Sequence, residues 1–267
     1  MFMAAKNKIS TLNLLLYIQK LNLKTAFLSK SDAFVSVLMM LINNLSFAFM
    51  WWIIFNRQGS INGWQFSQML LTLAIMNNAF AVYATLARGV QFIPEYIGSG
   101  SLDSQISTPR NSLLMVSTAA SSFSNWGDYP TAFIFYFMSG IVSWQTFAIF
   151  IFCSLTGAVL LYSFRLLVSC LAFWSSGTER LADNIFMAFL TFALQPASIF
   201  TGWYHVFFLN IIPAGLISYY PIELLKEFSW QTLFCLLLGV AGFFLLAVFA
   251  FSRGLRRYSS GSRFGIR

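Results

Sequence analysis

Charge is what this sequence has least of. Only 9% of its residues are charged, eight of them acidic, against 58% hydrophobic residues and a mean hydropathy of +0.72. A soluble domain carries about 25% charged residues. So few charges cannot cover the surface of a 267-residue soluble protein, and a lipid bilayer is the solvent that the rest of the composition fits. Histidine is represented once, by His205, which excludes a histidine-based metal site or catalytic triad. The three cysteines, Cys153, Cys170 and Cys235, lie in apolar runs without metal-ligand spacing, so they read as small buried hydrophobes. No GxxxxGK[ST] run is present for binding ATP, and no GxSxG, HExxH or paired-carboxylate pattern for catalysis. The chain is therefore read as a non-enzyme without a cofactor of its own; if ATP drives it, ATP and Mg bind to a separate chain. Neither a repeat of 20–50 residues nor an inverted pair of broken helices is visible.

What is abundant is aromatic and apolar. Aromatics make up 18%, including 31 Phe and 8 Trp, as suits lipid-facing helices with interfacial anchors. The net charge of +8 is gathered at the ends: Lys6, Lys8, Lys20, Lys24 and Lys30, then Arg253, Arg256, Arg257, Arg263 and Arg267. That distribution argues against nucleic acid as a partner. It fits the positive-inside rule and contact with anionic membrane lipid. No short apolar core with a small-residue cleavage site opens the chain, so the N-terminus is expected to be retained.

Six spans are expected in an all-α polytopic membrane protein, because a spanning helix needs about 20 mostly apolar residues. They cover residues 34–55, 64–87, 113–141, 144–173, 181–194 and 231–251. The third is expected to break or kink near Pro130, within Asn125-Trp126-Gly127-Asp128-Tyr129-Pro130, with Asp128 placed to cap a broken helix end. Pro196, Pro213 and Pro221 punctuate the stretch before the last span. It reads as partly re-entrant, with residues 198–220 packed into an outer vestibule or an interface. The chain reads as a single transmembrane domain over residues 1–267. Residues 1–30 form an amphipathic interface segment, 94–112 a cytoplasmic loop and 252–267 a basic tail. Within the first segment, residues 10–28 read as an amphipathic helix lying in the membrane plane, the alternative being a frayed lipid-associated tail. Lysine and arginine counts place both termini in the cytoplasm, and an inner, cytoplasmic membrane is the expected location.

Polar residues inside the spans are candidate pathway or structural groups: Asn43 with its neighbour Asn44, Asn77, Asn78, Arg165 and Asp183. Arg165 reads either as a snorkelling or ion-paired residue or as part of a pathway. The asparagines read either as helix–helix hydrogen-bonding groups or as pathway groups. The loop at 94–112 is the longest polar insertion between spans. Its glycines permit a tight turn into a short helix comprising Ser101, Leu102, Asp103 and Ile106 and ended by Pro109. Leu102 and Ile106, at i and i+4, form one apolar stripe suited to a groove on a partner, and Asp103 lies near the helix start.

These residues resemble a known pattern. Ile97-Gly98-Ser99-Gly100-Ser101-Leu102-Asp103, followed by Pro109 and Leu113, is similar to the "I..G.LD..L..P...L" signature of the type-2 ABC permease family, in its six-span bacterial subgroup. Pro196-Ala197-Ser198-Ile199-Phe200, Ile212-Pro213-Ala214 and Tyr219-Tyr220-Pro221 resemble that subgroup's segment between the fifth and sixth spans. Gly254-Leu255-Arg256-Arg257-Tyr258-Ser259-Ser260 resembles its basic "GLRRY" ending. Relatives often carry more arginine after the position of Asp103, where this chain has only Arg110. The resemblance implies a permease subunit that pairs with a second permease subunit, as a homo- or heterodimer, and with two ABC ATPase subunits. It implies that Ser101, Leu102, Asp103, Ile106 and Pro109 form the coupling helix on which those ATPases act. It also implies export of an apolar or amphipathic substrate of lipid, drug, peptide or polysaccharide type. Two other classes remain as alternatives: an ion-coupled secondary transporter using Arg165 and Asp183, and a non-transporting membrane scaffold.

Overall fold

The structure is a computed structural model and describes residues 11–26, 30–107, 110–196, 199 and 212–258. Among these residues the chain is helical, with one isolated bridge between Ile61 and Trp64 in a turn. The helices are α1 (Thr11–Ala26), α2 (Lys30–Gln58), α3 (Phe66–Leu86), α4 (Ile93–Ser99), α5 (Leu102–Ile106), α6 (Ser112–Thr118), α7 (Asp128–Met138), α8 (Trp144–Ser169), α9 (Glu179–Ala193), α10 (Gly215–Ser218), α11 (Tyr220–Lys226) and α12 (Trp230–Arg257). Short 3-10 turns at Arg88–Phe92, Ser124–Gly127 and Cys170–Phe173 join some of them.

Four helical stretches among the described residues are long and apolar enough to cross a membrane: Ser31–Gln58, Phe66–Leu86, Trp144–Phe173 and Trp230–Arg257. They match the first, second, fourth and sixth expected spans. Their burial ranks them. The most apolar stretch of α3 is 78% buried within the chain, that of α8 50%, and those of α2 and α12 only 17% each. So α3 is the axis of the bundle, packed by α7 and α8, while α2 and α12 turn most of their side chains outward. Phe34, Phe49, Phe234 and Phe249 are exposed on those outer helices, where lipid contact accounts for the phenylalanine abundance without a pathway. Trp144 and Trp230 open α8 and α12 and are 83% and 76% exposed, as interfacial anchors would be.

The third expected span is not one helix. It divides into α6, a turn with a 3-10 segment, and α7. The break falls before Pro130, which sits in the first turn of α7, where proline costs nothing in hydrogen bonding. The fifth, expected at 181–194, is α9. With 15 residues it is roughly 22 Å long at 1.5 Å per residue, short of the ~30 Å hydrocarbon thickness. Much of the expected re-entrant stretch, including His205, lies outside the described residues. Its described end, α10 and α11, packs against α3, α8 and α12, with Pro213 to Ser218 buried.

Local chemistry sets the helix starts. Asn111 caps α6 by accepting from the Leu113 and Leu114 amides at 3.0 and 3.3 Å. Ser143 and Thr146 form a reciprocal capping box at the start of α8. At the same end of the bundle, Lys226 pairs with Glu223 at 2.9 Å and stands over the Trp64 ring at 5.7 Å. The helix expected at 10–28 is present as α1, with Lys20 and Lys24 exposed.

Candidate functional site

The polar segment after α3 folds back along the end of the bundle rather than projecting from it. The 3-10 turn Arg88–Phe92 leads into α4, which ends at Gly100. There φ is +75°, the left-handed conformation in which glycine carries no Cβ penalty. That reversal starts α5. Leu102 is fully buried in the chain's own core and Ile106 packs partly buried against it. The apolar stripe expected to dock on a partner therefore faces inward, which corrects that part of the sequence reading. A five-residue helix has no stability of its own, so its apolar side is the side that holds it to the bundle. The outward face carries Glu95, Ser99, Ser101, Ser104 and Ser107, all exposed. Short hydroxyl contacts rigidify it, Ser104 Oγ donating to the Ser101 carbonyl at 2.7 Å and Ser99 and Ser101 hydroxyls meeting at 2.8 Å. Pro109 lies outside the described residues.

Two further elements meet this segment. α4 packs on the Cys170–Phe173 turn that ends α8. The last turn of α12 packs on the same Phe173, and Gly254 makes this contact. A Cβ built there would lie 2.2 Å from a Phe173 ring carbon, so the "GLRRY" ending needs glycine for a close approach. Tyr258 meets the Phe173 ring edge-on at 6.5 Å. Burial, and then the neighbouring Asp103 carboxylate, push the Tyr258 phenol above its ordinary range. A cavity of about 250 Å³ opens between these parts, lined by Pro94, Ile97, Ser175, Glu179, Arg257 and Tyr258 among others. Segments far apart in sequence thus form one surface at one end of the bundle.

The ionisable pair singled out in the sequence does come together. Arg165 Nη2 donates to Asp183 Oδ1 at 2.6 Å and to the Gln91 carbonyl at 3.2 Å. Its guanidinium stands 5.2 Å from the centre of the Phe186 ring. The arginine is 5% exposed and the aspartate 60%. Arg165 lies about one turn from the end of α8, Gln91 in the turn after α3, and Asp183 in the first turns of α9. The pair braces three elements at the bundle end beside the 88–107 segment, and it does not sit midway along the spans.

The asparagines divide differently. Asn43 is exposed, whereas its neighbour Asn44 is buried. Asn44 Nδ2 donates to Asp128 Oδ1 at 2.6 Å and Thr131 Oγ1 at 3.1 Å. Asn77 donates to the same Thr131 hydroxyl at 3.2 Å, and Asn125 to Asp128 Oδ2 at 2.9 Å. This network joins α2, α3 and α7 at the break in the third span, and Asp128, at 1% exposure, is its centre. Asn78 is buried as well. The sequence reading named Asn43 and Asn44 together and missed Thr131 and Gln91. Asn44, Ala48, Trp51 and Phe55 form one helical stripe, all buried, whereas Asn43, with apolar residues at the same spacing, is exposed, so spacing alone does not choose between them. Among the described residues no cluster of His, Cys, Asp and Glu is arranged to hold a metal.

The profile of the family described as ABC-2 family transporter protein matches residues 38–262. No curated protein and no solved structure matches the chain. The match spans most of the sequence, from α2 through the end of α12. The chain therefore belongs to the ABC-2 family and is a multi-pass membrane permease subunit of an ABC transporter, a class that partners ABC ATPase subunits.

Proposed function

We propose that this permease exports an apolar or amphipathic substrate, working as one of two permease subunits above two ATPase subunits that bind the ATP and Mg. Both termini face the cytoplasm across an inner membrane, and α9 and the α6–α7 pair complete six passes. The coupling segment, residues 88–107, receives the movement of the ATPases. The observation that carries this reading is Leu102. It anchors α5 in the core at 0% exposure, while Ser101, Ser104 and Ser107 stay exposed. A push on the serine face is transmitted to the ends of α3, α8 and α12 without first taking up slack, because packed interiors are stiff. A conformational equilibrium between inward and outward forms then shifts by the difference in affinity of the ATP-bound partner for the two.

The ion-coupled alternative is the weaker one. Arg165 and Asp183 form a closed pair at the bundle end, where a structural brace accounts for both. The test is co-purification with an ABC ATPase, followed by substrate-stimulated ATP hydrolysis in proteoliposomes. Ser104→Trp, on the exposed face, is expected to abolish ATPase association while the permease still inserts and elutes normally. Normal association and transport by that variant contradict docking at this face.

A further inference from the structure

An open groove of about 630 Å³ runs between α3, α6, α8 and α12, a volume within the ~300–1,000 Å³ of small-molecule sites. Its lining is almost wholly apolar. Helices α8 and α12 contribute Leu155, Val159, Phe244 and Val248, and α6 contributes Leu113 and Leu114. The α6 hydroxyls are turned to partners within the chain, Ser117 meeting the Tyr162 hydroxyl at 2.9 Å and Thr118 donating to the Leu114 carbonyl at 2.8 Å. Helix α1 is fastened to the rim where α3 and α6 meet. Gln19 Nε2 donates to the Leu86 carbonyl at 3.1 Å, and Asn22 Nδ2 to the Thr118 carbonyl at 3.3 Å; Leu86 and Thr118 both line the groove. The same stretch of α1 exposes Lys20 and Lys24. Tyr83, also on the wall, has a buried hydroxyl without a hydrogen-bond partner among the described residues.

We propose that this groove seats an acyl chain of an anionic phospholipid, with the headgroup held at α1 by Lys20 and Lys24. Two observations select this occupant. The groove opens among helices of spanning length and is apolar, so hydrocarbon reaches it from the bilayer. The exposed lysines of the helix fastened to its rim supply charge complementary to a phosphate, which a helix of a second copy does not call for. A lipid held there bridges α1 to the α6–α8 wall and fixes the interface helix beside the coupling segment.

Native mass spectrometry of the delipidated full chain tests this, with phosphatidylglycerol and phosphatidylcholine of identical acyl chains as probes. The wild type is expected to retain phosphatidylglycerol at least ten-fold more strongly than phosphatidylcholine. Val159→Trp, a filler at an exposed wall position, is expected to lower that binding at least ten-fold. Ala158→Phe provides a second filler, and Leu237→Trp, exposed on α12 outside the groove, leaves binding unchanged. Lys20→Gln with Lys24→Gln brings phosphatidylglycerol down to the phosphatidylcholine level. Equal retention of the two lipids by the wild type overturns the proposal. So does wild-type binding by both fillers, or Val159→Cys disulfides between two copies that phosphatidylglycerol does not suppress.

Discussion

Asn43 and Asn44 are neighbours in sequence and opposites in structure. Among the described residues, Asn44 supplies one of the two side-chain hydrogen bonds that reach the Asp128 carboxylate, and Asn43 faces outward. Removing one donor from a buried carboxyl leaves it short of a partner, which costs about 1–3 kcal/mol. Asn44→Ala is therefore expected to lower stability by about that amount in detergent thermal unfolding. Asn43→Ala should stay within about 0.5 kcal/mol. Equal effects would show that the polar network is not the constraint at the broken span. The guanidinium of Arg165 bonds Asp183 and Gln91 together and lies over Phe186, which a lysine ammonium cannot reproduce. Arg165→Lys is expected to lower transport per ATP hydrolysed while leaving the permease assembled with its ATPase. An unchanged ratio would reduce the pair to a surface contact. These residue choices were only half legible in the sequence. Helix α2 is apolar nearly all round, so its hydrophobic pattern does not say which asparagine faces inward; the neighbouring helices decide it.

At the scale of elements, the helices of spanning length were legible because length and apolarity alone specify them. The turn and short helix after α3, proposed above as the coupling segment, were legible through Gly98, Gly100 and the Leu102–Asp103 pair. Their orientation was not. An i, i+4 apolar pair fits a partner's groove and the chain's own core equally well, and only tertiary packing separates them. Burial of Leu102 changes what its mutation reports. Leu102→Ser removes a fully buried side chain and leaves a hydroxyl in its place, so it is expected to destabilise the permease by about 2–5 kcal/mol, read as lost folded yield. It tests the fold, whereas Ser104→Trp tests docking. The close approach of Gly254 to Phe173 makes a second element-level prediction. Gly254→Val forces the ring aside, an overpacking effect of about 1–3 kcal/mol. It is expected to lower the unfolding temperature in detergent, while the same change at Gly242, where a Cβ meets nothing within 4 Å, has little effect.

For the whole molecule, the low charge and the basic ends already pointed to a polytopic membrane protein, and the family match places it among ABC-2 transporter proteins. What the sequence left open is how the end of the bundle is assembled. The turn after α3, the ends of α8 and α12 and the start of α9 meet there although the first and last of them in sequence lie more than half the chain apart, and no local pattern encodes such a meeting. Topology gives a prediction at this scale: with both termini cytoplasmic, Ser260→Cys in a cysteine-free background stays unlabelled by an impermeant reagent on intact cells, and labelling from outside reverses the orientation. The most direct measurement is site-directed cross-linking between Ser104→Cys and single cysteines on the partner ABC ATPase, in membranes, with and without ATP. The expected result is a cross-link at Ser104→Cys whose yield changes with ATP, and none from an outward residue at the other end of the bundle such as Trp230→Cys. Absence of any Ser104→Cys cross-link in a complex that still hydrolyses ATP and transports would contradict the coupling role of this segment.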